Sequence, residues 1–133
     1  MGHKIDKESS KNIPLLIWLQ GGPGASSQFG AFTELGPIRI EKGKAKSFHN
    51  PWNIFGHLLF IDQPLNVGFS YKIGNRTGTE QVSSAHQAGD HLLNFLDNFY
   101  KTWPALKEAP LYITGESFGG HYVPAFARKI IIN

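Results

Sequence analysis

The chain has 133 residues, and its 41% hydrophobic and 13% aromatic content is typical of one globular domain with a real core, which argues against disorder. The formal net charge is +3, and the only basic cluster, Lys42–Lys46, is interrupted by glycine and alanine. Nucleic-acid binding is therefore not expected. The lack of cysteine excludes a disulfide framework and a thiolate metal site, and no apolar run reaches the roughly 18 residues of a membrane span.

The polar N-terminal segment, residues 1–13, is predicted to be disordered and is too polar for a signal peptide. The first predicted strand is Pro14–Leu19, "PLLIWL", a continuous apolar run that ends at the loop Gln20–Gly24, "QGGPG". Similar runs at His57–Ile61 and Leu111–Thr114 predict two more strands. Because unbroken apolar runs are typical of strands buried on both faces, the three strands favour a parallel sheet.

Two further elements are predicted between the first and third of these strands. A short hairpin about Lys42–Gly43 is expected within the less regular segment Glu34–Asn53. A helix is predicted over Thr79–Tyr100, where apolar residues recur at helical spacing. Thr79 is the expected N-cap, and Pro104 is expected to stop the helix.

A last helix is expected to begin after Ser117. Its predicted apolar face carries Val123, Phe126, Ala127 and Ile130. Buried strands that alternate with amphipathic helices imply an α/β fold, and the lack of an internal repeat or linker favours a single domain.

The serine in "GESFG", Gly115–Gly119, matches the pattern G-x-S-x-G, in which a strand turns sharply into a helix and exposes a strained serine. Such a match is weak alone, because glycine and serine are common in turns. Here it follows a predicted strand and precedes a predicted helix, which is the context that the motif requires. The sequence therefore predicts that Ser117 is a nucleophile.

The loop Gln20–Gly24 supports this interpretation, although an ordinary Gly-Pro turn is its plainer alternative. Its glycines let backbone amides point into a cavity, as the stabilisation of an oxyanion requires. Neither phosphate-binding glycine pattern occurs in the chain. The amides of Gly22 and Phe118 are the candidate donors.

Three blocks in the chain resemble the serine carboxypeptidases (peptidase S10 type) of the α/β-hydrolase superfamily, from about Pro14 to the C-terminus. The blocks are "PLLIWLQGGPGASSQFGAFTELGP", "HLLFIDQPLNVGFSY" and "LYITGESFGGHYVPAFA". The resemblance implies a peptidase that removes residues from peptide C-termini through an acyl-enzyme at Ser117, with Gly22 and Phe118 forming the oxyanion hole. It implies a binding network for the substrate carboxylate that consists of Trp18, Gln20, Gly21, Glu34 and Glu116.

The same resemblance implies peptide or protein substrates, no cofactor and no metal. It implies a lysosomal, vacuolar or secreted protein, for which the sequon at Asn75 is a possible N-glycosylation site. The oligomeric state stays open. Two carboxyl groups near a substrate carboxylate must share protons, so substrate affinity is expected to weaken as the pH rises toward neutrality. Glu116→Gln is expected to flatten this dependence.

The chain departs from the family pattern at several positions. Many relatives have asparagine where this chain has Gln20, a bridged cysteine at Ala25, and tyrosine and alanine at Phe118 and Gly119. The family triad continues from serine to a later acid and histidine, but no carboxylate follows Ser117. His121, on the same predicted helix as the serine, is expected to be structural.

We therefore expect an incomplete α/β-hydrolase fold, a single partial domain over residues 1–133 without the cap and the remaining triad, that is inactive alone. Two alternatives stay open: an acyltransferase on the same scaffold, and a non-catalytic binding module or pseudoenzyme. Hydrolases like the proline iminopeptidases also use a GGPG loop, but the blocks "WLQGGPGASS" and "GESFGGHYVP" fit the carboxypeptidases better.

Overall fold

The computed structural model describes residues 7–73 and 81–132, and its centre is a sheet of three parallel strands. In chain order the elements are α1 (Lys7–Ser10), β1 (Leu15–Leu19), a π-helical turn (Gly30–Glu34), β2 (Ile38–Glu41), β3 (Lys44–Ser47), a 3-10 turn (Trp52–Ile54), β4 (His57–Phe60), α2 (Ala85–Thr102), a 3-10 turn (Pro104–Glu108), β5 (Leu111–Gly115) and α3 (Gly119–Ile132). The predicted α/β fold with a parallel central sheet is confirmed.

Strand β1 lies in the middle of the sheet, whose order is β4-β1-β5. Leu15 is in register with His57 on one side and Leu111 on the other, and all pairs are parallel. Because a central strand is covered on both faces and paired on both edges, Ile17 and Leu19 are fully buried. This explains why its sequence is an unbroken apolar run.

The core lies between one face of the sheet and the helices α2 and α3. Ile17 and Leu19 point to this face because they are two residues apart on a strand. They pack in one cluster with Leu92 and Leu96 of α2 and with Phe126 of α3. Phe126 has no exposed surface, as its place on the predicted apolar face of the last helix requires.

The start of α2 differs from the prediction. The helix begins at Ala85, with Ser84 as its N-cap, and Val82 precedes it. The Ser84 hydroxyl accepts a hydrogen bond from the Gln87 amide at 3.2 Å. This bond satisfies one of the N–H groups that have no partner within the first turn of the helix. Thr79, the expected cap, lies outside the described residues, as does the sequon at Asn75. The predicted stop before Pro104 is confirmed.

The predicted hairpin is confirmed, because β2 and β3 pair antiparallel around Lys42 and Gly43. Both turn residues have positive φ, 50° and 72°, which is the geometry of the tightest hairpin turns. The expected disorder of residues 1–13 does not extend over residues 7–10, which form α1 with Ser10 fully buried. Within the described ranges, no helix combines the length and apolar character needed to cross a bilayer.

Candidate active site

Ser117 lies in the sharp connection between β5 and α3. Its backbone has φ +54°, a left-handed conformation that non-glycine residues rarely adopt, and its side chain is exposed. The turn is closed by a hydrogen bond from the Gly119 amide to the Glu116 carbonyl at 2.7 Å. The structure thus has the strained strand-to-helix turn that the motif predicts.

The glycine loop Gln20–Gly24 lies directly against this turn. Leu19 and Gly115 are register partners at the carboxyl ends of neighbouring parallel strands, so both connections leave the sheet at the same edge. A Cβ on Gly21 would lie 2.8 Å from both the Ser117 Cβ and the Phe118 nitrogen. Only glycine permits this approach, which brings the two predicted halves of the site together.

The amides of Gly22 and Phe118 are left without acceptors. Within residues 7–73 and 81–132, no backbone or side-chain oxygen accepts a hydrogen bond from either group. Gly22 has φ +111°, and the loop around it is closed by a 3.1 Å hydrogen bond from the Ala25 amide to the Gly21 carbonyl. Unpaired amides beside an exposed serine hydroxyl are the kind of donor that an oxyanion would need.

A chain of hydrogen bonds joins three of the predicted carboxylate-binding residues. The Trp18 indole donates to Gln20 Oε1 at 2.8 Å, and Gln20 Nε2 donates to Glu116 Oε2 at 2.6 Å. Trp18 and Gln20 are buried, whereas Glu116 is exposed next to Ser117. The network therefore runs from the interior of the sheet to the turn that carries the serine.

Glu34 reaches the same network from the end of the π-helical turn. Its Oε2 atom is buried and has no hydrogen-bond partner within the described residues. Burial raises the pKa of the Glu34 carboxyl, the charge of Glu116 raises it further, and a contact with Gln20 offsets part of the effect. Glu34 thus holds its proton to higher pH than an ordinary glutamate.

Several residues around the site were not singled out by the sequence. Ser27 is fully buried, accepts from the Gln20 amide at 3.1 Å and donates to the Ile61 carbonyl at 2.6 Å. The Tyr122 ring is buried against the Phe118 ring, with 5.1 Å between their centroids. The bond between Ser27 and Ile61 joins residues 34 positions apart, and its only local signal is a pair of serines after the glycine loop.

His121 does not meet the serine. Its ring packs on the Phe118 ring at 4.6 Å, and no hydrogen bond connects Ser117 to a histidine in the part of the chain that is described. This agrees with the structural role expected for His121. In the same part of the chain, no three histidine, aspartate or glutamate side chains are grouped as a metal site would require.

A small cavity of about 270 Å³ opens beside the glycine loop. It is lined by Pro23 and Gly24 on one side and by Phe118 and Tyr122 on another. A larger apolar groove of about 600 Å³ lies between α2 and residues 61–73 and includes no residue of the serine turn.

Comparison with known proteins places these residues in one family. Residues 4–133 match the family model described as serine carboxypeptidase. The chain is 45% identical over 128 residues to a carboxypeptidase Y homolog A from Leptosphaeria maculans and 42% identical over 127 residues to carboxypeptidase Y from Candida albicans. It is also 42% identical over 130 residues to the pheromone-processing carboxypeptidase KEX1 from Candida glabrata. These alignments cover 94–95% of this chain but only 17–22% of the relatives.

Proposed function

The chain belongs to the serine carboxypeptidase family, and from this premise we propose that it carries the nucleophile and the carboxylate-binding site of a serine-type carboxypeptidase. The observation that carries the proposal is the contact between Gly21 and the strained Ser117 turn. This contact brings an exposed hydroxyl next to unpaired amides and next to a hydrogen-bonded glutamate.

In the proposed reaction the Ser117 Oγ attacks the carbonyl carbon of the last peptide bond of the substrate. The carbonyl oxygen gains negative charge, which the amides of Gly22 and Phe118 stabilise. The C–N bond then breaks, the proton lost by the serine hydroxyl passes to the departing nitrogen, the C-terminal residue leaves as an amine, and an ester to Ser117 remains. Water hydrolyses this ester in a second step.

The proposed carboxylate site selects the end of a peptide. Gln20 and Trp18 hold Glu116 beside the serine, Gly21 lets the chain approach closely, and Glu34 supplies a proton. A protonated Glu34 donates a hydrogen bond to the substrate carboxylate, whereas an ionised one repels it. The raised pKa of Glu34 therefore favours binding of a C-terminal carboxylate.

The general base and its orienting acid are proposed to come from sequence beyond residue 133. The chain spans about a fifth of the length of the curated relatives that it matches. On this proposal residues 1–133 are one partial domain, and the chain alone hydrolyses peptides very slowly, because nucleophile, base and acid act as a unit. Lysosomal, vacuolar or secreted localisation belongs to the same proposal.

A fluorophosphonate probe tests the proposal. We expect it to label Ser117 in a longer protein that contains this chain, and Ser117→Ala to abolish both labelling and release of C-terminal residues. His121→Ala is the matched control and should retain labelling, since its ring packs on Phe118 and does not meet the serine. Labelling at another serine, or activity retained by Ser117→Ala, would contradict the proposal. A product assay with an alcohol acceptor separates hydrolysis from acyl transfer.

A further inference from the structure

Asp62 links two loops at the carboxyl edge of the sheet. Its carboxylate is buried, with 7% exposure, and accepts from the Ser26 hydroxyl at 2.6 Å and from the Phe69 amide at 2.9 Å. Its backbone carbonyl accepts from the Ser70 hydroxyl at 2.6 Å. A buried carboxylate is costly unless its oxygens are hydrogen-bonded, and both oxygens are paired here. Asp62 therefore joins the loop after β4 to the segment that contains Ser26.

Ser26 lies two residues after the end of the glycine loop. It follows Ala25, whose amide closes the loop on the Gly21 carbonyl, and its Oγ also accepts from the Gln28 amide at 3.1 Å. A single hydroxyl thus connects the exit of the glycine loop to a charged and buried acceptor. Hydrogen bonds to charged groups are stronger than neutral ones, so this link holds the loop more firmly than a neutral acceptor would.

We propose that Asp62 is a positioning residue for the oxyanion loop: through Ser26 its carboxylate fixes the segment that presents the Gly22 amide to Ser117. Its described hydrogen bonds go to Ser26, Phe69 and Ser70, so it acts through the glycine loop. The expected effect on catalysis rests on the proposed function, whereas the expected effect on the position of the loop does not depend on it.

The loop effect is tested by amide hydrogen exchange on the 133-residue chain. Ser26→Ala and Asp62→Ala should each accelerate exchange of the Ala25 amide by about tenfold or more, because each removes a bond to a charged group. In the double variant the acceleration at Ala25 should be smaller than the product of the two single effects, since both changes break the same link. If Asp62→Ala does not fold, Ser26→Ala still decides the question.

Ser70→Ala is the matched control, because it removes the hydrogen bond to the backbone of Asp62 and keeps the bond between Ser26 and the carboxylate. Its Ala25 amide should exchange at the wild-type rate. The inference is overturned if Ser26→Ala leaves Ala25 exchange unchanged, or if Ser70→Ala accelerates it equally, which would indicate general loosening.

The catalytic consequence is read from the rate at which a fluorophosphonate reacts with Ser117. In that reaction an Oγ–P bond forms, fluoride leaves and the hydroxyl proton passes to water. Ser26→Ala should lower the rate by about tenfold or more, since a misplaced oxyanion donor loses most of its effect, whereas Ser70→Ala should not. The rate is measured in a longer protein that contains this chain; if its wild-type form does not react, that counts against the proposed function, and Ala25 exchange still decides the placement of the loop. Faster exchange with an unchanged labelling rate overturns the positioning role.

Discussion

Gly30 lies directly against the hydrogen-bonded pair Trp18 and Gln20, so Gly30→Ala should distort the proposed carboxylate-binding network. A Cβ at this position would overlap the indole nitrogen of Trp18 and lie 2.8 Å from Gln20 Oε1. Ordinary contact begins near 3.4 Å, so the amide oxygen must recede by about 0.6 Å. The indole cannot swing away, because it is buried and packs edge-on against Trp52 at 5.6 Å.

Overpacking of this kind costs about 1–3 kcal/mol. In a chain of this length the loss corresponds to a decrease in Tm of roughly 4–12 °C. Urea unfolding measures the stability, and the Trp18 indole N–H resonance in an NMR spectrum reports whether the bond to Gln20 survives. We expect that resonance to shift, because its acceptor is displaced.

Gly120→Ala is the matched control. A Cβ at Gly120, near the start of α3, would meet nothing within 4 Å. Alanine there should stabilise the protein by up to about 1 kcal/mol, since it reduces the entropy of the unfolded chain. Equal stabilities of Gly30→Ala and Gly120→Ala, or an unmoved Trp18 resonance in Gly30→Ala, would contradict this prediction.

Three further predictions follow from single positions. Ser117→Gly should be about 0.5–1 kcal/mol more stable than Ser117→Ala in urea unfolding, because glycine relieves the left-handed strain of the serine turn; equal stabilities would contradict that strain. In a complete enzyme, KM for a peptide with a free C-terminus should increase as the pH rises through the raised pKa of Glu34, because ionisation adds a charge that repels the substrate carboxylate. Glu116→Gln should flatten this dependence of KM on pH. An unchanged pH profile in that variant would exclude proton sharing between the two glutamates. Phe126→Ala should cost about 3–5 kcal/mol in urea unfolding, because the ring has no exposed surface, whereas Phe95→Ala, at 39% exposure, should cost under about 1.5 kcal/mol; similar losses would contradict the assigned core.

Sequence patterns predicted the elements of this fold well where the signal was local. Unbroken apolar runs predicted β1, β4 and β5, and helical spacing predicted α3 with Phe126 on its buried face. The beginning of α2 was misplaced, because Ser84 and Thr79 are both acceptable N-caps and only the packed structure shows that the helix begins after Ser84.

The contacts within the candidate site were harder to predict from sequence patterns alone. The serine turn and the glycine loop are short motifs, so Ser117 and Gly22 were predicted as site residues from the residue types of these motifs and from their positions after strands. The bond between Ser26 and Asp62 joins residues 36 positions apart. The contact between Gly21 and Ser117 joins the loop after β1 to the turn after β5. No periodicity encodes such contacts.

Local sequence by itself determined which segments become strands and helices, and which residues form the two loops that meet at the serine. Apolar periodicity acts over a few residues, and turn geometry is set by the residues of the turn themselves. Only the tertiary structure decided that β1 lies between β4 and β5, that the two loops leave the same edge, and that the half-buried Glu34 lies beside Glu116. Strand order and burial depend on how distant segments share one core, because the free energy of excluding water from apolar surface belongs to the packed assembly of elements and not to any one of them.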